Sequence, residues 1–495
     1  MVGIQMVTNR AAVSILCVII AISSLSRLFC AARDHLVAPF DVVFETPHVC
    51  TIKAIQKGHN IYDPAMYKKL PFILTIYTPA YHYLVAWLPQ HPNNQFFTGR
   101  IVAGFFMILA SLSLFFPYKP RENVAASILA IGCFFLIREV VSHAMFLRND
   151  SMALFFSAAA VVWAEKADKT PWKIVLASLF CVIAFSCKQS FVAATATCFF
   201  YFLTKNRQTA LIFGASSLFL LTIFGLFAQF YWGDGFWFSV LVAPRNPLSW
   251  QWFVQNWDRM LRQPFFCLLL FSAIAASVYF VAKKKWEIIK ESPFFFYLLF
   301  SALVLIMTLG KVGANTNYFF EPILAGLLWL VFLIKKLSPE KTSNSFLVFL
   351  CLLSISVAFE FAFTKRSDYS FTTREQTMQT IKKISKVKNE IGELQPVNGN
   401  ILSLVWPGLI LELQEEPVMN DLFLYSILWN TGVLSVEPLM NEIIDQYFDI
   451  IVLRKDQYLG NVLQTPYEYM IGTVLVCYQL KKEGTYCYFV PKSVS

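Results

Sequence analysis

Charge is scarce in this chain. Only 15% of its 495 residues are Asp, Glu, Lys or Arg, while 57% are hydrophobic and 16% aromatic; a soluble globular chain carries about 25% charged residues. The shortfall excludes a soluble protein and points to a polytopic membrane protein. CxxC pairs and Cys/His metal spacings are missing although there are 11 cysteines, so those lying in apolar runs read as small buried hydrophobes. No glycine-rich loop of the P-loop or dinucleotide-binding type occurs, which argues against a nucleotide donor. A small-residue cleavage site does not follow the first apolar run, so that run is expected to be a signal anchor. No clear internal repeat is visible.

What the chain does have is a series of apolar runs, at 11–29, 100–117, 124–138, 150–164, 174–187, 190–203, 210–231, 264–282, 294–310, 317–334 and 345–363. They predict about eleven transmembrane helices, since ~20 residues cross a bilayer. Joining 174–187 to 190–203 would bury Lys188 at mid-membrane, so two short spans turning at Lys188-Gln189 are expected instead. Basic residues fall on alternate connections, from Arg10, through Lys119 and Arg121, to Lys335, Lys336 and Lys341. That bias places the N-terminus in the cytoplasm and the C-terminus outside. The net charge of +10 is then largely a topology signal, and no nucleic-acid partner is implied.

The outer connections hold most of the unusual polar residues. Asp41, Glu45 and His48 follow the first span within eight residues. Thr46-Pro47 predicts a helix start, with a helix over 47–57 lying on the membrane surface and ending at Gly58. Asp41 and Glu45 then sit in the turn before it; a helix starting earlier and kinking at Pro47 would put 41, 45 and 48 on one face. Either geometry gathers them. Further on come Tyr62, then Tyr77 and Tyr81 around Pro79, then Arg148-Asn149-Asp150, Lys188-Gln189, Arg245-Asn246, Lys311, and Asn317-Tyr318 ahead of Glu321. Taken singly, these read as helix caps, snorkelling cations or an aromatic belt. Their shared side is what such readings leave unexplained. Asp41 has the chemistry of a general base for an acceptor hydroxyl, and Lys188, Arg245 and Lys311 can neutralise a phosphate leaving group. An acid at a span entrance, such as Glu321, requires a partner or ligand.

After Thr364 the composition becomes that of a soluble domain. A basic helix over 372–393 leads to strands at Ile401–Val405 and Asp449–Leu453, and to a hairpin of Val474–Leu480 with Thr485–Val490. Cys477 and Cys487 are symmetric about its turn, which allows a cross-hairpin disulfide. The expected organisation is a membrane module over 1–363, with an outer loop at 30–99, and an extracytoplasmic α/β domain over 364–495.

These elements together resemble the GT-C glycosyltransferases. Asp41 looks like their loop-one acid; Gly58 to Tyr62, Tyr77-x-Pro79-x-Tyr81, Arg148-Asn149-Asp150, Lys188-Gln189-Ser190, Asn317 to Pro322 and Pro417 to Asp421 add to the likeness. The chain particularly resembles the bacterial branch of protein-mannosyltransferase-like and aminoarabinose-transferase-like proteins. The resemblance implies transfer of a sugar from a polyprenyl-phosphate carrier to a lipid, glycan or protein acceptor, at the outer face of a bacterial inner membrane. It implies Asp41 as base and Asp150 as a second acid. Glu45 is a further candidate, although many relatives place the second acid directly beside the first, where Val42 and Val43 stand here. Binding roles fall to His48, Tyr62, Tyr77, Tyr81, Arg148, Lys188, Gln189, Arg245, Asn246, Lys311, Asn317, Tyr318 and Glu321. A divalent cation (Mg or Mn) stays open, because some relatives use one and others do not. Two rival readings are a transporter or flippase of a lipid-linked sugar, which would favour mid-membrane charges and repeated halves, and a non-catalytic assembly subunit keeping the fold.

Overall fold

Backbone N–H and C=O groups in lipid must be satisfied within the segment that carries them, which makes helix the default for apolar runs. The computed structural model describes residues 19–20, 22–42, 44–115, 124–167, 170–336, 374–394, 399–404, 418–454, 465–483 and 486–492. The first helix runs on to residue 36. After it come Phe97–Leu112, Val124–Leu136, Asp150–Glu165, Pro171–Cys187, Ala193–Lys205, Arg207–Trp232, Pro264–Ala282, Phe294–Thr308 and Phe320–Lys336. They track the apolar runs closely. Among the described residues four helical stretches are long and apolar enough to cross a membrane: Phe97–Phe115, Arg207–Trp232, Pro264–Ala282 and Thr316–Ile334. The run at 345–363 lies outside the described residues.

The chain does break at Lys188. That residue is extended (φ −153°, ψ 119°) at the end of Pro171–Cys187, and the next helix begins at Ala193. A helix does follow the first span, as Thr46–Gln56 with proline in its first turn. It ends where Gly58 takes φ +78°, a left-handed conformation that costs glycine little. Trp250 is exposed while Trp232 is buried, its ring meeting Tyr62 edge-on at 5.4 Å.

In the C-terminal unit the strands are β1 (Ile401–Ser403), β2 (Ile450–Arg454), β3 (Tyr478–Glu483) and β4 (Tyr486–Pro491). Their order is β1-β2-β4-β3; β1 and β2 are parallel, the other pairs antiparallel. Alternation along β2 explains why both faces are covered. Ile450 and Val452 pack with Val387 and Ile391 of the Arg374–Leu394 helix. Ile451 and Leu453 face Leu424, Leu439 and Met470 on the three helices of the other side.

The hairpin differs from expectation. Thr465–Cys477 is helical and β3 starts only at Tyr478. In register Cys487 faces Glu483, whereas the carbonyl of Cys477 accepts from the Lys492 N–H at 3.1 Å. The two cysteines are therefore not cross-strand partners, and the disulfide geometry is absent.

The C-terminal unit is fused to the segment that follows the Thr46–Gln56 helix. Its core takes in Tyr67, Phe72 and Leu74. Asn420, fully buried, donates to the Leu74 carbonyl at 3.0 Å and accepts from the Leu74 N–H at 3.2 Å. The Tyr425 hydroxyl donates to the Tyr67 carbonyl at 3.1 Å.

Candidate active site

A carboxylate just before a helix meets backbone N–H groups that have no partner inside the helix. Asp41 fills that position for the Thr46–Gln56 helix. Its Oδ1 accepts from the Glu45 N–H at 3.0 Å, and its Oδ2 from the Thr46 N–H at 2.9 Å and the Thr46 hydroxyl at 2.5 Å. Each carboxylate oxygen has two lone pairs, so Oδ2 is fully engaged and Oδ1 keeps one. Burial, followed by the nearby Glu45, pushes the Asp41 carboxyl above the ordinary range.

Glu45 does something else. It pairs with Arg100, and both side chains are fully buried. One Glu45 oxygen receives the Arg100 Nε–H at 2.8 Å and the Leu147 N–H at 2.8 Å; the other receives Arg100 Nη2 and, at 3.2 Å, the Val42 N–H. Arg100 also donates to the carbonyls of His35 (2.6 Å), Ala38 and Phe40 (2.8 Å). The pair ties the Asp41 loop to the second span, which leaves Glu45 no open lone pair for a base.

Next to this lies a second group. Lys188 Nζ donates to Asp150 Oδ1 at 2.6 Å, and Asn317 Nδ2 donates to the same oxygen at 2.8 Å. The ammonium lies 5.0 Å from the ring centre of Tyr318 and 5.6 Å from that of Tyr77. Only one of its three N–H groups is engaged by Asp150. His48, one turn into the helix that Asp41 caps, stacks on Tyr77 at 5.2 Å. Its Nδ1 is 2.9 Å from His82 Nε2, so one ring donates and the other accepts. Burial keeps both histidines neutral at pH 7, His48 well below its ordinary value and His82 at about 3. Arg148 acts electrostatically on His48 and Tyr77. His48, Tyr77, Asp150, Lys188, Asn317 and Tyr318 thus form one connected group, and Asp41 stands at the start of the helix that brings His48 to it.

Other candidates fall elsewhere. The hydroxyls of Tyr62 and Tyr81 are committed to the carbonyls of Tyr77 and Gly99, at 2.7 and 2.8 Å. Gln189 bridges the carbonyls of Ile76 and Val240. Arg245 is exposed and holds the Leu241 carbonyl at 2.7 Å; Asn246 donates to Val312 at 2.7 Å. Lys311 bridges to Leu248 through its backbone. Glu321 finds its partner within the helices, the Ser157 hydroxyl, which in turn receives the Tyr297 hydroxyl at 3.2 Å. Sequence reading missed Thr46 as the hydroxyl on Asp41, and it missed Arg100 and His82. A charge at the start of an apolar span was the available signal for Arg100, because such a group needs a partner.

A divalent cation would need oxygens that these bonds leave open. Asp41 Oδ2, both Glu45 oxygens and Asp150 Oδ1 are all engaged, and among the described residues no three His, Cys, Asp or Glu side chains are grouped to hold a metal.

No protein-family model and no curated protein sequence matches the chain. Solved structures do. ArnT from Cupriavidus metallidurans in the apo state superposes with a TM-score of 0.56 at 12% identity, covering 97% of this chain and 98% of that one. The same protein bound to undecaprenyl phosphate gives 0.53 at 10% identity, with 97% and 98% covered. The archaeal oligosaccharyltransferase AglB from Archaeoglobus fulgidus, in complex with an inhibitory peptide and a dolichol-phosphate, gives 0.55 at 10% identity, with 98% and 74% covered. Over nearly its whole length this chain has the fold of those proteins. It is an integral membrane protein of that architecture.

Proposed function

We propose that this protein is a membrane-embedded glycosyltransferase that moves a sugar from a polyprenyl-phosphate carrier to a hydroxyl-bearing acceptor on the extracytoplasmic face. The observation that carries the reading is an oriented carboxylate with a single open lone pair (Asp41) at the start of the helix whose His48 stacks on Tyr77, the ring that the buried Lys188 ammonium also faces. The fold's solved relatives support the carrier, one with undecaprenyl phosphate bound and one with dolichol-phosphate.

In this reaction Asp41 Oδ1 takes the proton of the acceptor hydroxyl as its oxygen attacks the anomeric carbon. The bond from that carbon to the phosphate oxygen breaks on the opposite face, with inversion. Charge develops on the leaving phosphate, where Lys188 and Arg148 are placed to meet it. Asp150 then acts through Lys188, holding it in position. The proposed topology has about eleven spans over 1–363, with the N-terminus inside, the 364–495 domain outside, and a bacterial inner membrane as setting.

The decisive assay uses purified Asp41→Asn with radiolabelled polyprenyl-phosphate sugars against total lipid and glycan acceptors. Folded protein with transfer lost by a factor of about 100 or more supports the base; unchanged transfer removes Asp41 from that role. Absence of transfer by the unaltered chain with donor still bound would return weight to a transporter.

A further inference from the structure

A second opening lies on the far side of the Asp41 helix. Val49, Ile52, Lys53 and Gln56 recur at spacings of three and four, so they share one helical face. That face lines a cavity of about 440 Å³, walled on its other side by the segment from Gln90 to Gln95. Ligand sites usually enclose about 300–1,000 Å³. His48 and Thr51 turn elsewhere, towards Tyr77 and Thr75, so the cavity and the Lys188 group stand on different sides of one helix. Pro39 also lines the cavity, and it is two residues from Asp41, a reach of at most about 7 Å. Asn94 fastens the rim to the same loop. It donates to the carbonyls of Leu36 and Ala38, at 3.0 and 3.3 Å, and accepts from the Phe96 N–H at 3.1 Å.

The polar groups of the lining are already oriented. Gln90 Nε2 donates to the carbonyls of Val85 and Leu88, both at 2.8 Å, and Gln56 Nε2 donates to that of Ala86 at 3.3 Å. Since an amide must turn its nitrogen to a carbonyl, the oxygen of each is left as an acceptor. His91 Nδ1 accepts from the Asn93 N–H at 3.2 Å, so the ring proton sits on Nε2 and makes a donor. The exposed Asn93 amide and the Lys53 ammonium line the same space. Among the described residues of the lining none is acidic.

We infer that this cavity is a saccharide-binding subsite, holding one neutral sugar unit beside the loop that carries Asp41. A sugar hydroxyl both donates and accepts, so a ring of them matches the mixture of amide oxygens and imidazole N–H. The C–H face of the ring suits the wall of Pro39, Val49, Ile52 and Pro92. A phosphate offers acceptors only and would meet the two glutamine oxygens with nothing to donate. A metal ion would find no carboxylate. That the cavity takes a sugar stands on its own lining; that the sugar belongs to a substrate of transfer rests on the reaction proposed above. Its source is a further unit of the acceptor glycan, or of a donor carrying more than one sugar, and the same chemistry serves both.

The test begins with binding alone. Methyl glycosides of glucose, galactose, mannose and N-acetylglucosamine are titrated by saturation-transfer NMR against the purified full chain, in a detergent without a sugar headgroup. Inorganic phosphate and glucose 6-phosphate are titrated alongside. At least one neutral glycoside should bind at millimolar concentration, and excess undecaprenyl phosphate should not displace it. The double variant Gln56→Ala with Asn93→Ala changes two exposed positions and should melt within a few degrees of the unaltered chain. It should weaken the glycoside about tenfold, the loss of two hydrogen bonds; should it fail to fold, Asn93→Ala alone is read, with about threefold weakening expected. No neutral binding, tighter binding of the two anions, displacement by undecaprenyl phosphate, or unchanged affinity in the variants each overturns the inference. Transfer then gives the source. The double variant should raise the half-saturating amount of a glycan extract if the sugar is the acceptor's, and of the radiolabelled donor if it is the donor's; a shift in neither overturns the subsite. If the unaltered chain transfers no sugar, the proposed function falls, while the binding titration still decides the cavity.

Discussion

Arg100 and Glu45 meet fork to fork with no solvent at either side chain, and the same guanidinium gathers three carbonyls of the loop that leads to Asp41. A planar five-donor group is what such a site needs, because a lysine offers three donors from a single point. Breaking a buried pair from one side leaves a charge without a partner, at about 3–5 kcal/mol. Arg100→Met and Arg100→Lys are therefore expected to lower the melting temperature in detergent by several degrees and to abolish activity. A melt unchanged by Arg100→Met would show that the loop holds its shape without the pair.

Acid should abolish the proposed transfer earlier than an ordinary carboxylate would. In the proposed reaction Asp41 works deprotonated, and burial with the neighbouring Glu45 raises its proton affinity, so kcat/KM should fall as pH drops through that raised value. The Thr46 hydroxyl bond favours the charged form. Thr46→Val should move the acid limb up by about one pH unit, the equivalent of ~1.4 kcal/mol. Superimposable pH profiles for the two proteins would contradict this assignment.

For Lys188 and Asp150, stability and activity should part company. Lys188→Met leaves the Asp150 carboxylate buried and unpaired, and a loss of about 3 kcal/mol is expected. Adding Asp150→Asn removes that charge, so the double variant should recover much of the stability. Transfer should stay absent in both, since the ammonium is gone. Recovery of transfer together with stability would assign Lys188 to structure only.

The His48–His82 pair predicts acid lability of the outer surface. Both rings are neutral when folded because of burial, whereas in the unfolded chain each titrates near 6.5. Below that value the unfolded chain takes up protons that the folded one refuses. Stability is then lost as pH falls, with a slope approaching about 1.4 kcal/mol per unit for each ring. Melting temperature against pH between 7 and 5 should decline less steeply in His82→Phe than in the unaltered chain; equal slopes would rule the pair out as the cause.

The helices and the break at Lys188 were legible because a lipid-facing run and a buried cation follow one-dimensional rules of length and desolvation. Thr46–Gln56 was legible for the same reason, its proline start and glycine end being local chemistry. Distinguishing Asp41 from Glu45 was not. The two acids are four residues apart, and what separates them is a guanidinium contributed by residue 100 and a backbone N–H from residue 147. Tyr62 and Tyr81 read like ligand-lining residues, yet their hydroxyls close onto nearby backbone, a choice made by tertiary packing. The hairpin start shifted because Val474 to Cys477 satisfy helix as readily as strand, and the packing of Met470 and Val474 against Leu439 decided it.

The Asn420–Leu74 and Tyr425–Tyr67 bonds bear on how such chains can be recombined. A chimaera that exchanges residues beyond 374 for the tail of another protein of this fold would lose the amide written against Leu74, and the aromatic pocket of Tyr67 and Phe72 would face a stranger. The natural cutting points are therefore two: the outer segment 67–75 has to travel with the tail although some 300 residues separate them. The unit of inheritance in this architecture is a discontinuous one.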